Sequence, residues 1–383
     1  MPARRSLSLC LGLFVALAGS SALTASCGEY TVIIRDETTP RDGGPDDSLD
    51  ESADAGVDDL ASLADAEVFE GGPAPLPPWR TTRGTAVFTY SYARRVYRVE
   101  ARVGAPIEDV SAEIEPFGRG TMDRWIVPSH NAAFLVLATE RAPCPEVGEC
   151  LAIMPRDLSR LEPVLAGGAE VAIVGTPAVN DLGDAIVYPA TGGPHGVDLW
   201  LTRRRTSGWT APALLTATST APFNNMPALT FDESRVLFDC GRNPYPETGD
   251  NDSCEVRLDG TGFRVVVTPT SMTGNRSTFT QFAHESADGV LVQGAWSIGT
   301  YQPETIWLLP WGGPPLVAIG RNLTNAVSPC GLPDGRFGAL WLTRPDAPAS
   351  KHELTLMERS GAIDGVLTPG IDVTDIGIGC GGR

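Results

Sequence analysis

The chain has 383 residues, a formal net charge of −18 and 42% hydrophobic residues. This length permits two average domains or one large all-β domain, with a core of normal size. An acidic chain is repelled by phosphate backbones, so the composition argues against nucleic acid as a partner.

The first 26 residues have the parts of a bacterial export signal. Arg4 and Arg5 supply the positive charge, and the apolar run at 7–19 is too short to span a bilayer stably. Small residues then lead to Cys27, as in a lipobox, where cleavage would leave a cysteine that carries acyl chains such as palmitate. We therefore predict a lipoprotein signal peptide over residues 1–26 and lipid attachment at Cys27.

Two alternatives remain open for this segment. Thr24 stands where a lipobox usually has leucine, so cleavage near Ala22 or Ala25 would leave Cys27 as a thiol or half of a disulfide. The arginine pair also permits export by the twin-arginine route. Gly28 is not the aspartate that retains lipoproteins at the inner membrane, so we expect a lipid-anchored protein of the cell envelope, at the outer membrane.

Residues 27–78 are predicted to be a disordered acidic linker behind the lipidated cysteine. Residues 36–70 hold 13 acidic side chains and one arginine, and Phe69 is the only aromatic residue among them. Such a segment buries too little apolar surface to offset its ordering entropy, and its like charges extend it. Weak calcium binding is an alternative, but no EF-hand spacing is present.

From residue 79 to the end the sequence contains degenerate repeats. Three of them align as "TPAVNDLGDAIVY" (176–188), "MPALTFDESRVLF" (226–238) and "FAHESADGVLV" (282–292), with related stretches at 327–341 and 126–138. Each has a turn rich in Asp, Asn and Gly followed by a β-branched or aromatic run. Further strand candidates follow each turn, and an acidic residue lies near the start of the next strand. Four short strands per repeat at this period indicate an all-β propeller.

The repeats resemble those of TolB-like β-propellers, which are related to WD40-like propellers. The likeness lies in "PDG" (333–335), "ADG" (287–289), "RLDGTG" (257–262) and the blade-like stretch 176–216. It implies a propeller domain over residues 79–383 with six four-stranded blades. We expect the first blade to take strands near 84–103 and 111–116, and the C-terminal strand at 372–380 to close the ring.

The cysteines fit an exported propeller. Cys10 leaves with the signal and Cys27 carries lipid, so six remain, and an even number in an exported chain indicates disulfides. Many pairings are formally possible, and the propeller that the resemblance implies favours Cys144–Cys150, Cys240–Cys254 and Cys330–Cys380. Buried free thiols are the alternative.

The sequence predicts no catalytic residue, no metal site and no cofactor. His130, His195, His284 and His352 have no Cys or Glu at metal-ligand spacing, and no hydrolase, zinc-protease or nucleotide motif occurs. His130 and His284 are expected at equivalent turns, where histidine satisfies local backbone groups. The loop at 246–253 with Glu247, Asp250 and Asp252 is interpreted as a solvated loop rather than a cation site.

Three functions are compatible with these features. The favoured one is a non-catalytic, membrane-anchored scaffold that binds a protein or polymer through its loops. The alternative is a propeller enzyme, a lyase or glycoside hydrolase, with carboxylates or a metal at the central channel. The third is a sensor or accessory domain whose partner supplies the activity.

Overall fold

The computed structural model describes ten stretches of the chain, namely residues 85–118, 122–141, 149–241, 251–269, 279–295, 305–313, 316–319, 326–342, 351–373 and 378–382. The predicted signal peptide, Cys27 and the acidic linker lie outside these residues. Among the residues described, no helix is long and apolar enough to cross a membrane.

The described residues form a ring of six antiparallel sheets, or blades. The first three blades lie in the N-terminal half of the ring. The first blade contains β1 (Val87–Tyr92), β2 (Arg95–Glu100) and β3 (Ile107–Asp109), and the second contains β4 (Asp123–Pro128), β5 (Phe134–Thr139), β6 (Cys150–Pro155) and β7 (Glu162–Pro163). A small hairpin, β8 (Leu165–Ala166) and β9 (Ala169–Glu170), precedes the third blade. The third blade contains β10 (Ala178–Val179), β11 (Ala185–Ala190), β12 (Asp198–Arg205), β13 (Gly208–Trp209) and β14 (Ala213–Leu214).

The second half of the ring repeats the same plan. The fourth blade contains β15 (Phe223–Leu229), β16 (Arg235–Gly241), β17 (Asn251–Arg257) and β18 (Arg264–Val267). The fifth contains β19 (Phe279–Ser286), β20 (Gly289–Ala295), β21 (Thr305–Pro310) and β22 (Val317–Ile319). The sixth contains β23 (Ala326–Gly331), β24 (Phe337–Leu342), β25 (His352–Met357) and β26 (Ile363–Val366). The prediction of an all-β, six-bladed propeller is confirmed.

The last strand, β27 (Gly379–Gly381), closes the ring. It pairs antiparallel with β1, where Phe88 faces Cys380, and so becomes the inner strand of the first blade. Two glycines make this approach possible, because a Cβ on Gly381 would lie 2.0 Å from the Ser129 carbonyl oxygen and one on Gly379 would lie 2.6 Å from Thr89 Oγ1. Closure by the C-terminal strand is confirmed, although the strand begins later than the predicted 372–380.

The first blade differs from the prediction at its outer strand. The strand expected near 111–116 is replaced by a short helix, α1 (Val110–Glu113), and the strand itself lies earlier, at β3. Asp109 caps this helix by accepting a hydrogen bond from the Ala112 amide at 3.1 Å. The apolar residues that suggested a strand, Val110 and Ile114, instead pack into the core between the first two blades.

The ring has two unlike faces, which follow from the alternation of strands. The tight-turn face carries the turns between first and second strands of blades two to six, at residues 129–133, 180–184, 230–234, 287–288 and 332–336. The long-loop face carries the connections between second and third strands, of which residues 191–197 of the third blade are described, while those of blades two, four, five and six fall wholly or mostly outside the described residues. Residue 85, where the described chain enters the ring, lies on the tight-turn face beside β27.

A buried ion pair fixes the passage from the first blade to the second. Arg141 and Asp123 are 3% and 2% exposed, with Nη2 and Oδ2 2.6 Å apart. Ser111 and Thr139 each donate to the same carboxylate at 2.6 Å. Arg141 also donates to the carbonyl oxygens of Ser111 and Gly118 at 3.0 Å. Both charges are therefore fully compensated, and α1 is tied to the second blade.

Replacing Arg141 by methionine should lower the free energy of unfolding by about 3–5 kcal/mol, because the Asp123 carboxylate would stay buried without its cation. Chemical denaturation of the purified chain measures the change. The matched control is Arg102→Ala, which breaks an exposed pair with Glu100 and should cost about 0–1 kcal/mol. Equal losses in the two variants would contradict the structural role of the buried pair.

Candidate functional site

The central channel is the place where all six blades meet. One inner strand from each blade lines a small cavity of about 30 Å³, which is bordered by the polar side chains of His130, Thr176, His284 and Glu285. The other lining residues are apolar or small, as the inner-strand patterns predict. The histidines and the glutamate lie toward the tight-turn face, so the chemistry of the channel is concentrated at that end.

The turns of the second, third and fourth blades place a first polar cluster there. Each turn contains a residue in the left-handed region, namely Ala132, Gly183 or Glu233, with φ of 53°, 65° and 58°. Side chains stabilise the turns locally, since Asn180 Oδ1 accepts from the amides of Asp184 and Ala185 at 3.0 and 2.9 Å. The turns therefore hold their side chains in fixed positions against the neighbouring blade.

His130, Asp181 and Glu233 converge from these three turns. One potential ligand atom from each side chain lies within 4.8 Å of the others. Asp181 accepts a hydrogen bond from the Asn131 amide at 2.7 Å, and Glu233 accepts one from the Asp181 amide at 2.5 Å. Asp181 is 3% exposed. Each carboxylate is thus oriented by the backbone of the preceding blade.

A second cluster joins the fifth and sixth blades to the closing strand. Cys330 and Cys380 form a disulfide with their Cα atoms 5.9 Å apart, and His284 Nδ1 lies 3.6 Å from Cys330 Sγ. The His284 ring borders the cavity and is otherwise surrounded by protein. This burial is the main cause that lowers the pKa of His284 to about 4, and the nearby charge of His130 adds to it. His284 is therefore a neutral imidazole at physiological pH. The disulfide occupies both sulfurs, which removes them as metal ligands in the oxidised protein.

Glu285 extends the polar region along β19. Its carboxylate accepts a hydrogen bond from the Phe231 amide of the fourth blade. Burial raises the pKa of Glu285, and the Asp232 charge adds to the effect. The Phe231 ring in turn meets the His130 ring edge-on, with centroids 5.1 Å apart. The two clusters are therefore connected through the fourth blade.

In the opposite half of the channel, polar side chains bind backbone amides of the inner strands. Four inner strands carry a β-bulge with one residue in the left-handed region, at Trp125, Met226, Phe282 and Ser328. Such a bulge turns a backbone amide away from its own blade. These residues are not glycine, so each conformation is maintained by its contacts.

Three of these four amides donate to acceptors on the preceding blade, including Trp125 to Ser91 Oγ at 3.0 Å, whereas the Met226 amide donates to Asn225 Oδ1 of its own strand. Phe282 donates to Asp239 Oδ1 and Ser328 donates to Gln293 Oε1, both at 2.8 Å. Burial raises the pKa of the Asp239 carboxyl well above its usual range, which favours the neutral acid there. This end of the channel is accordingly committed to holding blades together.

The structure also locates the residues predicted from sequence. Cys240 and Cys254 form a disulfide within the fourth blade, with Cα atoms 5.9 Å apart. Cys150 is disulfide-bonded, while its predicted partner Cys144 lies outside the described residues, as do Cys27, Glu247 and Asp250. His195 contacts Asp198, with Nδ1 and Oδ1 2.6 Å apart, and therefore has a local structural role.

The predicted equivalence of His130 and His284 is wrong in position. His130 lies in a turn and His284 lies within β19, yet both reach the channel. Sequence reasoning missed Asp181, Glu233 and Glu285, since no local spacing connects them. Aligning the turns of successive repeats places Asp181 at the position of His130 and would have found it, whereas Glu233 occupies the position of Gly183 and would not have been found this way.

Comparisons with known proteins support the fold. TolB from Acinetobacter baumannii superimposes with a TM-score of 0.55 at 9% sequence identity, covering 78% of this chain and 67% of that chain. Kuenenia stuttgartiensis hydrazine synthase gives a TM-score of 0.51 at 12% identity, covering 77% of this chain and 47% of that chain. No family model and no curated protein sequence matches the chain. The chain therefore has a TolB-like propeller fold.

The stability of the ring should depend on pH through His284. Its pKa of about 4 lies below the ordinary value of 6.5, so on acidification the unfolded chain takes up the proton first. The free energy of unfolding should fall as the pH drops from about 6.5 towards 4, and His284→Gln should remove this part of the loss. Denaturation at pH 7 and pH 4.5 measures it, with His352→Gln as the control. Protonation of His284 near pH 6.5, seen by NMR, would contradict the assignment.

Proposed function

We propose that this chain is a non-catalytic binding scaffold, held in the bacterial cell envelope by lipid on Cys27, which binds a protein or polymer through its long-loop face. A rigid ring with variable connections is suited to recognition, because loops carry binding residues while the strands keep them in place. The TolB-like fold supports a scaffold role without specifying the partner.

The observation that carries this proposal is the difference between the two faces. Tight turns of a few residues lie on one face, and the described connection between second and third strands of the third blade, residues 191–197, lies on the other. Exposed residues of the long-loop face include Thr191, Pro194 and Thr220. The described connection is longer than the tight turns opposite it, which favours this face for recognition.

The place where the chain enters the ring supports the long-loop face as the binding face. The chain enters the ring at residue 85, on the tight-turn face, so a tether from Cys27 would pull on that side. If the predicted linker, residues 27–78, is a flexible coil, its root-mean-square span would be about 40 Å, and its acidic residues would extend it further. A tether that joins the tight-turn side would leave the long-loop side free of the linker's attachment point.

Site-specific photo-crosslinking in intact cells tests the binding face. A crosslinker at Thr191 or Thr220 should give the same partner adduct, because both positions are exposed on the long-loop face. Matched controls at Asp334 and Ser360, exposed on the tight-turn face, should give little or none. Adducts from the control positions alone, or from none of the four, would contradict the proposal.

The anchor is tested by Cys27→Ser in the full chain. Loss of the acylated thioether should move the protein from the membrane pellet to the soluble envelope fraction, since one buried methylene contributes about 0.8 kcal/mol. The control Cys10→Ser should leave the distribution unchanged, because that residue lies inside the signal. Equal membrane association of wild type and Cys27→Ser would rule out the lipid anchor.

A second candidate function is favoured by the convergence of His130, Asp181 and Glu233. An acid–base pair or metal at a channel is the arrangement that a propeller lyase or glycoside hydrolase requires. Release of new chain ends from a panel of polysaccharides by the purified protein, abolished in Asp181→Asn, would support the enzyme in place of the scaffold.

A further inference from the structure

We propose that His130, Asp181 and Glu233 form a binding site for one divalent transition-metal ion, best suited to Zn²⁺, at the tight-turn end of the channel. The site goes beyond the proposed scaffold function and does not depend on it. Its three ligands come from three consecutive blades.

The geometry allows one ion to contact all three side chains. Their ligand atoms lie within 4.8 Å of one another. Tetrahedral bonds of about 2.1 Å place neighbouring ligand atoms about 3.4 Å apart. Side-chain rotations that move each ligand atom by about an ångström are therefore enough to bring all three atoms to bonding distance of one ion. The backbone can stay in place, because the turns that carry the side chains are internally hydrogen-bonded, as in the Ser129–Asn131 pair at 2.7 Å.

The charges favour a dication. Asp181 is 3% exposed and Glu233 is partly buried beside it, which places two carboxylates close together at the end of the channel. Neighbouring buried carboxylates are costly unless a positive charge compensates both. One protonated histidine would offset a single negative charge, whereas a divalent ion on a neutral His130 offsets two.

The surroundings resemble the outer shell of a metal centre. Asn131 and Asp181 donate their backbone amides to the Asp181 and Glu233 carboxylates, at 2.7 and 2.5 Å. The Phe231 ring packs edge-on against the His130 imidazole, at 5.1 Å between centroids. Outer contacts of this kind fix the orientation of ligands and are a general property of metal sites.

The donor set selects the class of ion. An imidazole nitrogen disfavours Ca²⁺ and Mg²⁺, which prefer oxygen ligands, and the two carboxylates disfavour soft Cu(I). One nitrogen and two oxygens suit Zn²⁺ and its spectroscopic substitute Co²⁺. Three protein ligands leave a fourth position open, and His130 borders a cavity of about 30 Å³, which has room for a water-sized fourth ligand.

The neighbouring cluster is a weaker candidate for the same ion. His284, Cys330 and Cys380 also bring ligand atoms within 4.8 Å, but their two sulfurs are bonded to each other. A metal could enter there only after reduction of the disulfide. Oxidising conditions during the experiment therefore direct the metal to the carboxylate site.

The test is metal binding by the full-length chain, stripped with a chelator and kept oxidised. Calorimetry with Zn²⁺ should show one saturable site, and Co²⁺ should give visible absorption bands of a low-coordinate ion. His130→Gln and Asp181→Asn should each raise the Kd by more than the roughly 10–100-fold that loss of an outer-shell contact costs. The control His352→Gln, on the third strand of the sixth blade, should bind as the wild type does.

Two measurements separate loss of the site from loss of the fold. Circular dichroism should show the same β spectrum for each variant, and Zn²⁺ should raise the Tm of the wild type but not that of His130→Gln. If Asp181→Asn misfolds, His130→Gln and Glu233→Gln decide. Absence of saturable Zn²⁺ and Co²⁺ binding, or unchanged binding in His130→Gln and Glu233→Gln, would overturn the proposal, as would a His130 that NMR shows to stay protonated in excess Zn²⁺.

Discussion

The pairing of Gly379–Gly381 with Val87–Thr89 is the constraint on which the architecture depends. Without it, β1 of the first blade would expose an unpaired sheet edge, and the C-terminal strand would have no partner. The Cys330–Cys380 disulfide holds the same junction covalently. Gly382 extends it to the second blade, because its amide donates to the His130 carbonyl oxygen at 2.6 Å. The closing strand therefore fixes the position of the channel histidine as well.

Blade-to-blade contacts are polar at the channel and apolar outside it. Apolar layers such as that of Phe88, Leu340 and Leu354 fill the space between adjacent sheets. At the channel, where strands are too close for large side chains, backbone amides meet carboxyl or amide oxygens of the next blade, as in Phe282 with Asp239. Convergence of titratable groups on the axis is thus a direct result of how the ring holds together. The same geometry supplies both structural contacts and a possible site.

Much of the fold could be predicted because its signals are local. Turn residues, β-branched runs and their period indicate the blades, and the fold then pairs Cys240 with Cys254 and Cys330 with Cys380. The prediction of a strand near 111–116 was wrong for a local reason. The spacing of Val110 and Ile114 fits both the strand period of two and the helix period of 3.6, and only the Asp109 cap favours a helix. The channel cluster could not be predicted from spacing, because His130, Asp181 and Glu233 belong to different repeats. Glu233 even stands where the equivalent turn has Gly183, so its carboxylate breaks the repeat pattern.

The contact between Gly382 and Ala86 has a consequence for how the chain could be rewired. A Cβ on Gly382 would lie 2.2 Å from the Ala86 Cα, so the two ends of the described ring touch. A short peptide could join them without stretching any strand, and a new opening could be made between residues 217 and 218, in the connection between the third and fourth blades. Such a circular permutant would make the junction of β27 and β1 covalent and move the chain break to a place between two blades. Comparing its refolding rate with that of the parent would show whether pairing of β27 with β1 limits the rate of folding.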